Sequence, residues 1–150
     1  MANDKQIAVL GAGMHPWGKW GRNFVEYGLA AASDALAEAG IPWTDVQYVA
    51  GADTIRNGYP GFVAGATFAQ ALGWTGARVS SAYAACASGA QAISNARAQI
   101  LAGLCDVALV IGADTTCPSR SMPMMAWNCF CARESHSAAP ALVRLRLTDH

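Results

Sequence analysis

Residues 79–89 read VSSAYAACASG, and this stretch decides how the rest of the sequence is interpreted. An apolar run ends here, a tight turn follows, and a helical pattern begins within two or three residues of Cys86. Unpaired N–H groups and the positive end of the helix dipole favour the thiolate, which is the nucleophilic form of cysteine. The opposing interpretation is a small buried side chain, which is the usual position of a lone cysteine.

Short apolar runs and helical patterns alternate on both sides of this turn. The first helix shows the capping-box spacing of Asn23 and Glu26 and stops at Gly40. The predicted strands are 7–10, 46–50, 77–81 and 107–111, and the predicted helices are 24–39, 62–72 and 88–102. This order predicts an α/β fold with a mixed, mostly parallel sheet and helices on both faces.

The third predicted helix is rich in alanine and glycine and carries an apolar stripe of Ile93, Ile100 and Leu104. Small side chains allow close backbone approach, which places this helix between layers. Alanine is also the best helix former, and that property alone can explain the composition.

The composition changes near residue 116. All fifteen glycines lie in residues 1–116, and residues 117–150 contain none. The periodicity typical of strands and helices also fails after that point. We therefore expect a partial domain over 1–116, followed by an anomalous tail over 117–150. A shifted reading frame, disorder or a divergent extension would each explain this tail.

Charge and hydropathy exclude several classes of protein. A formal net charge of zero supplies no basic surplus for binding nucleic acid. The sequence shows neither a secretory signal nor an apolar stretch long enough for a membrane helix. Five cysteines are an odd number in a chain without such a signal, so we expect free thiols and a cytoplasmic location.

Other candidate sites are weaker. The Gly11-Ala12-Gly13 loop has Pro16 where a dinucleotide-binding loop has its third glycine, so nucleotide binding is rejected. The cysteines and histidine of the tail do not have the spacing of a common zinc site, and no metal is expected. His15 is interpreted as a surface loop residue. The loop 53–62 follows a strand, so either it contacts substrate or a second subunit, or it is a solvated turn.

Residues 83–93 resemble the start of the active-site helix in the thiolase superfamily, and residues 103–114 resemble the next strand of that family. The similarity covers residues 6–116, which look like the N-terminal half. Residues 51–54 and 74–77 look most like the sterol-carrier or lipid-transfer type of thiolase.

The resemblance implies a function as well as a fold. Cys86 matches the cysteine that takes an acyl group from a coenzyme A thioester, which is a substrate and not a bound cofactor. Tyr83, Ser88 and Gly89 are the further candidates for substrate binding. Ser88 and Gly89 would set the turn, and their amides would help bind the oxyanion. The resemblance also implies a homo-oligomer or a thiolase-like partner subunit.

Two departures from the family pattern keep other functions open. Tyr83 occupies the place of an asparagine in many thiolases, and the Gly-His-Pro and Cys-x-Gly segments of the second half do not occur here. We therefore expect little turnover from this chain alone. The alternatives are a β-ketoacyl synthase-like condensing enzyme, a steroid side-chain retro-aldolase and a non-catalytic subunit that binds acyl-CoA.

Overall fold

A computed structural model describes residues 7–16, 20–54 and 57–115, together with the backbone of 145–147. Two short 3-10 turns lie at Trp43–Asp45 and Ala85–Ala87. The helices and strands, in chain order, are β1 (Ile7–Val9), α1 (Phe24–Ala39), β2 (Tyr48–Ala52), α2 (Tyr59–Phe62), α3 (Ala64–Leu72), β3 (Arg78–Ala82), α4 (Ser88–Leu101), β4 (Ala108–Gly112) and β5 (Leu145–Leu147).

Three of the strands form a parallel sheet in the order β3-β2-β4. Val49 of β2 is in register with Val79 of β3 and with Leu109 of β4. β1 pairs instead with β5, antiparallel, with Ala8 opposite Arg146. The α/β class, the parallel pairing and the mixed strand directions are as predicted.

Alternate residues of the parallel strands point to opposite faces, and each face is covered by helices. Val49, Leu109 and Ile111 pack with residues of α1 and α3 on one side. Ala50 and Val110 pack with residues of α4 on the other side. The predicted placement of helices on both faces of the sheet is therefore confirmed, and it explains why β2 and β4 are buried along their whole length.

Local signals fix the ends of α1 as the sequence predicts. Asn23 Oδ1 accepts a hydrogen bond from the Glu26 N–H at 3.0 Å, and Glu26 Oε2 accepts one from the Asn23 N–H at 2.8 Å. The helix ends at Gly40, whose φ of 66° is left-handed. Such a cap satisfies backbone groups that the helix itself leaves unpaired.

Two glycines let α3 lie directly against the sheet. A Cβ on Gly51 of β2 would come within 2.2 Å of the Gly65 nitrogen, and a Cβ on Gly65 would come within 2.0 Å of the Ser80 carbonyl oxygen. Neither position has room for a side chain.

Three sequence expectations need correction. β1 is not a buried strand: Val9 is 57% exposed, because its strand lies outside the three-stranded sheet. The helix expected over 62–72 begins at Ala64 as α3, because Phe62 ends the separate short helix α2 and Val63 lies between the two helices. The stripe expected on α4 is correct only at Ile100, which faces the sheet together with Ala92 and Ala96, whereas Ile93 and Leu104 are exposed.

The far side of α4 is open within the described residues, so its predicted place between layers is only half realised there. β5 lies in the segment 117–150, where the sequence predicts no element. The proposed division at residue 116 and the nature of the tail stay predictions, because residues 116–144 and 148–150 lie outside the described part. None of the described helices combines the length and apolarity needed to cross a membrane.

Candidate active site at the start of α4

Cys86 lies in the sharp turn that joins β3 to α4. The turn is a single 3-10 segment, Ala85–Ala87, and the Cys86 side chain is exposed. Ala85, immediately before the cysteine, has φ of 48°, and it is the one non-glycine residue with positive φ in the described ranges. A left-handed alanine costs about 1–2 kcal/mol, so the surrounding contacts must hold this turn in place.

The Ser88 side chain supplies those contacts. Its Oγ accepts a hydrogen bond from the Ala84 N–H at 2.9 Å and donates one to the Ala85 carbonyl at 2.7 Å. The Ala87 N–H also donates to the Ala84 carbonyl at 2.8 Å. The Ser88 side chain is buried. Its hydrogen bonds hold the backbone on the N-terminal side of Cys86 in place.

Tyr83 and Gly89 occupy different positions relative to this turn. The Tyr83 hydroxyl donates a hydrogen bond to the Gly61 carbonyl at 2.9 Å, which joins α2 to the segment before Cys86. Its ring remains partly exposed. Gly89 lies in the first turn of α4, and a Cβ there would meet no atom within 4 Å. Among the described residues, no close neighbour therefore requires glycine at position 89.

A pocket of about 120 Å³ opens beside Cys86. It lies where β2 and β4 end and α4 begins, which is the edge where parallel sheets usually bind ligands. The small side chains of Ala52, Gly112 and Ala113 leave this space open. The full lining is Ala52, Asp53, Thr54, Ala85, Cys86, Ser88, Gly89, Gly112, Ala113 and Asp114.

A polar network joins the loops after β2 and β4 on one side of this pocket. Asn57 Nδ2 donates to Asp114 Oδ1 at 3.0 Å and to Asp53 Oδ2 at 3.2 Å. Asn57 Oδ1 accepts from the Thr115 hydroxyl at 2.5 Å, and the Thr54 hydroxyl donates to Asp114 Oδ2. All the donors and the acceptor of the Asn57 side-chain amide are thus used.

Only part of this network could be predicted from the sequence. The sequence singles out the loop 53–62, which supplies Asp53, Thr54 and Asn57, but it gives Asp114 no role. Asp53 directly follows β2, and Asp114 follows β4 after Ala113. Because strands of a parallel sheet end at the same edge, this shared position is the signal that could have brought Asp114 to notice.

Two other chemically notable residues lie away from the pocket. His15 is buried and not on the surface as expected, because its ring packs against two aromatic rings. The ring centroids are 4.7 Å apart for His15 and Tyr27 and 5.8 Å apart for His15 and Trp20. Cys105 is buried beneath α4, where burial and the charge of Asp106 raise the pKa of its thiol.

The cysteines and histidines of the tail lie outside the described residues. Within the described ranges, no three histidine, cysteine or acidic side chains cluster so that they could hold a metal ion.

The sequence matches a known protein family over most of its length. Residues 7–134 match the family described as thiolase, N-terminal domain. The chain belongs to the thiolase family. This match includes Cys86 with its pocket and extends beyond residue 116. No curated protein matches this thiolase-family chain.

Solved structures of thiolase-like enzymes share the fold. The 3-oxoacyl-[acyl-carrier-protein] synthase III of Aquifex aeolicus superposes with a TM-score of 0.74 at 16% identity, over 96% of this chain and 55% of that one. A variant of OleA from Xanthomonas campestris, solved with lauric acid and lauroyl-CoA, gives 0.72 at 13% identity, over 95% and 57%. An acetyl-CoA acetyltransferase of Syntrophomonas wolfei gives 0.61 at 22% identity, over 71% and 28%.

The chain spans about half the length of the first two of these structures and less of the third. At these identities the superpositions show a common fold. Together with the family match, they show that this chain has the fold of the N-terminal half of the thiolase superfamily.

Proposed function

We propose that Cys86 is the nucleophile of an acyltransferase that acts on CoA thioesters of lipid or steroid acids. The observation that carries the proposal is the position of Cys86. Its exposed thiol lies on a strained turn at the start of α4, beside a pocket, in a thiolase N-terminal domain. A nucleophile on a sharp strand-to-helix turn is accessible to a substrate while its backbone is held by the scaffold.

The chemistry is a thiol–thioester exchange. The Cys86 sulfur attacks the thioester carbonyl, the carbon–sulfur bond to CoA breaks, and the acyl group remains on the cysteine. One thioester replaces another, so the exchange is close to isoenergetic and runs in both directions. The Ser88 N–H already donates to the Ala85 carbonyl. Of the two amides expected to bind the oxyanion, the Gly89 N–H in the first turn of α4 is therefore the better suited.

The acyl group is proposed from two sources of support. OleA, one of the structurally similar proteins, was solved with lauric acid and lauroyl-CoA, which favours a fatty acyl chain. The steroid alternative rests on the resemblance of residues 51–54 and 74–77 to sterol-carrier-type thiolases. Tyr83, in the place of asparagine, favours a condensing or retro-aldol reaction over acetoacetyl-CoA cleavage as the second step.

We propose that the chain associates in the cytoplasm as a homo-oligomer or with a thiolase-like partner subunit, and that the partner subunit is the one that could complete the site. The second half of the fold would supply the histidine and the second cysteine of the Gly-His-Pro and Cys-x-Gly segments, which this sequence does not contain. The pocket beside Cys86 would also serve in the alternative function, a non-catalytic subunit that binds acyl-CoA without transferring the acyl group.

Incubation of the 150-residue chain with acetyl-CoA and lauroyl-CoA, followed by intact-mass measurement, tests the proposal. We expect the mass of one acyl group to be added and an equal amount of CoA to be released. Cys86→Ser should abolish rapid acylation, whereas the matched variant Cys105→Ala should retain it. Binding of lauroyl-CoA without acyl transfer, at equal affinity in Cys86→Ala, would instead identify a binding subunit.

A further inference from the structure

Gly89 has neither of the structural reasons that explain other glycines of this fold. Gly40 has a left-handed φ of 66°, and a Cβ on Gly51 would come within 2.2 Å of a backbone nitrogen. Gly89 is helical, its φ is not left-handed, and an added Cβ would meet no atom of the described residues within 4 Å. Glycine is also unfavourable in a helix, because its backbone loses the most freedom on folding. The stability of α4 therefore gains nothing from glycine at this position.

The pocket beside Cys86 supplies a different reason for this glycine. Gly89 lies three residues after Cys86, and both residues line the same pocket. Residues three apart are neighbours on one side of a helix, with about 5–6 Å between their Cβ atoms. A side chain at position 89 would therefore lie beside the Cys86 thiol, in space that no described residue fills.

The walls of this pocket suit a short alkyl chain. Half of the lining residues are alanine or glycine, which present small apolar surfaces. The polar side chains of the wall already have partners within the protein. Ser88 bonds to the backbone of the turn, Thr54 bonds to Asp114, and Asp53 bonds to Asn57. A bound group can therefore contact the wall without supplying hydrogen bonds of its own.

The volume of the pocket limits the size of the group that it can hold. A cavity of about 150 Å³ in a protein core holds benzene, which has six carbon atoms. By this measure the pocket of about 120 Å³ beside Cys86 holds about five carbon atoms. An acetyl group has two carbons and a butyryl group has four, so both fit. A longer acyl chain would place only its first carbons here.

We propose that Gly89 determines which acyl groups Cys86 accepts, an inference that rests on the acyl-transfer function proposed above. The acyl carbons next to the thioester occupy the pocket, and the space left by the missing side chain of Gly89 is part of the room they use. The side chain that is absent at position 89 forms no bond and takes part in no chemical step. It acts on specificity through volume alone.

Gly89→Val and Gly89→Ala test this role by adding different volumes. Valine adds three carbon atoms at position 89, which leaves room for an acetyl group but not for a butyryl group. Alanine adds one carbon atom, which leaves room for both. The quantity to measure is the ratio of the initial rates at which butyryl-CoA and acetyl-CoA acylate Cys86, with the acylated residue located by peptide mass spectrometry.

The expected change in this ratio differs between the two variants. One methylene group in an apolar pocket is worth about 10–200-fold in specificity. We therefore expect the ratio of butyryl to acetyl transfer to fall by about tenfold or more in Gly89→Val. In Gly89→Ala the ratio should stay close to that of the unmodified chain.

Urea unfolding separates this role from a structural one. Alanine and valine are both better helix residues than glycine, so neither variant should unfold at a lower urea concentration than the unmodified chain. A lower ratio without a loss of stability cannot arise from a disturbed turn. The matched control is Ala98→Val, which adds carbon atoms on the exposed surface of the same helix, outside the pocket lining, and should leave the ratio unchanged.

Three results would overturn the proposal. The first is an equal ratio in Gly89→Val and in the unmodified chain. The second is a parallel loss of both rates in Gly89→Val, because the added side chain would then obstruct a part common to both substrates. The third is a fall of the ratio in Ala98→Val as large as that in Gly89→Val, because the effect would then not depend on the pocket.

Failure of this inference is distinct from failure of the proposed function. If neither acyl-CoA acylates Cys86 of the unmodified chain, the acyl-transfer function is wrong and the role of Gly89 is lost with it. If Cys86 is acylated and Gly89→Val leaves the ratio unchanged, the function stands and only the role of Gly89 is lost.

Discussion

Ser88→Ala removes the side chain that closes the turn before Cys86, and its effect can be worked out from the structure. Two hydrogen bonds are lost, at 2.9 Å to the Ala84 N–H and at 2.7 Å to the Ala85 carbonyl. Each contributes about 0.5–1.5 kcal/mol net, and the exposed backbone groups of Ala84 and Ala85 can turn to water instead. The free energy of unfolding should therefore fall by about 1–3 kcal/mol.

Ala85→Gly provides the opposite perturbation at the same turn. The φ of 48° costs an alanine about 1–2 kcal/mol that glycine does not incur, although the greater freedom of glycine in the unfolded chain offsets part of this gain. The net change should be a stabilisation of up to about 1 kcal/mol. In the double variant the loss caused by Ser88→Ala should be smaller, because the turn is no longer strained.

Urea unfolding of the 150-residue chain measures these changes in the free energy of unfolding. The comparison requires that the slope of this free energy against urea concentration is the same in all variants. Ser33→Ala, on the exposed surface of α1, is the matched control and should change stability by less than about 0.5 kcal/mol. The reasoning is refuted if Ser88→Ala is as mild as that control, or if Ala85→Gly destabilises the chain.

The remaining predictions concern glycine packing and thiol chemistry. Gly51→Ala should lower the free energy of unfolding, measured in urea, by about 1–3 kcal/mol or more, because its Cβ would meet the Gly65 nitrogen at 2.2 Å. Gly89→Ala, with no neighbour within 4 Å, should instead be neutral or stabilising by up to about 1 kcal/mol. Cys105 should react with iodoacetamide far more slowly than Cys86 at neutral pH, since burial raises the pKa of its thiol. The unfolded thiol ionises at about 9.0 while the folded one stays protonated, so the contribution of Cys105 to stability should decline as the pH rises above that value.

The parts of the fold that depend on local signals could be predicted from the sequence. The capping pair of Asn23 and Glu26 and the left-handed Gly40 define α1 through neighbouring backbone groups alone. β1 was placed wrongly because its partner, β5, lies in a segment without a recognisable pattern. The exposed face of α4 was misjudged because alanine carries little information on which side of a helix is buried.

The candidate site likewise has residues that could be predicted from the sequence and contacts that could not. Cys86 and Ser88 could be identified because strand, turn and helix follow one another within a few residues. The contact between Asn57 and Asp114 joins residues that are 57 positions apart. Such a contact depends on β2 and β4 being adjacent, which alternation of elements does not specify. Without that adjacency, the carboxylates beside the thiol could not be assigned to one pocket.

The most direct test of the account is to locate the acyl group after brief exposure of the chain to acetyl-CoA. Peptide mass spectrometry compares Cys86 with Cys105 and with the three cysteines of the tail in the same molecule. We expect Cys86 to be acylated first and more extensively than any other cysteine, because its thiol is exposed on the turn beside the pocket. Slow labelling spread evenly over the cysteines would contradict it, since that pattern shows ordinary thiol reactivity and no acyl-transfer site.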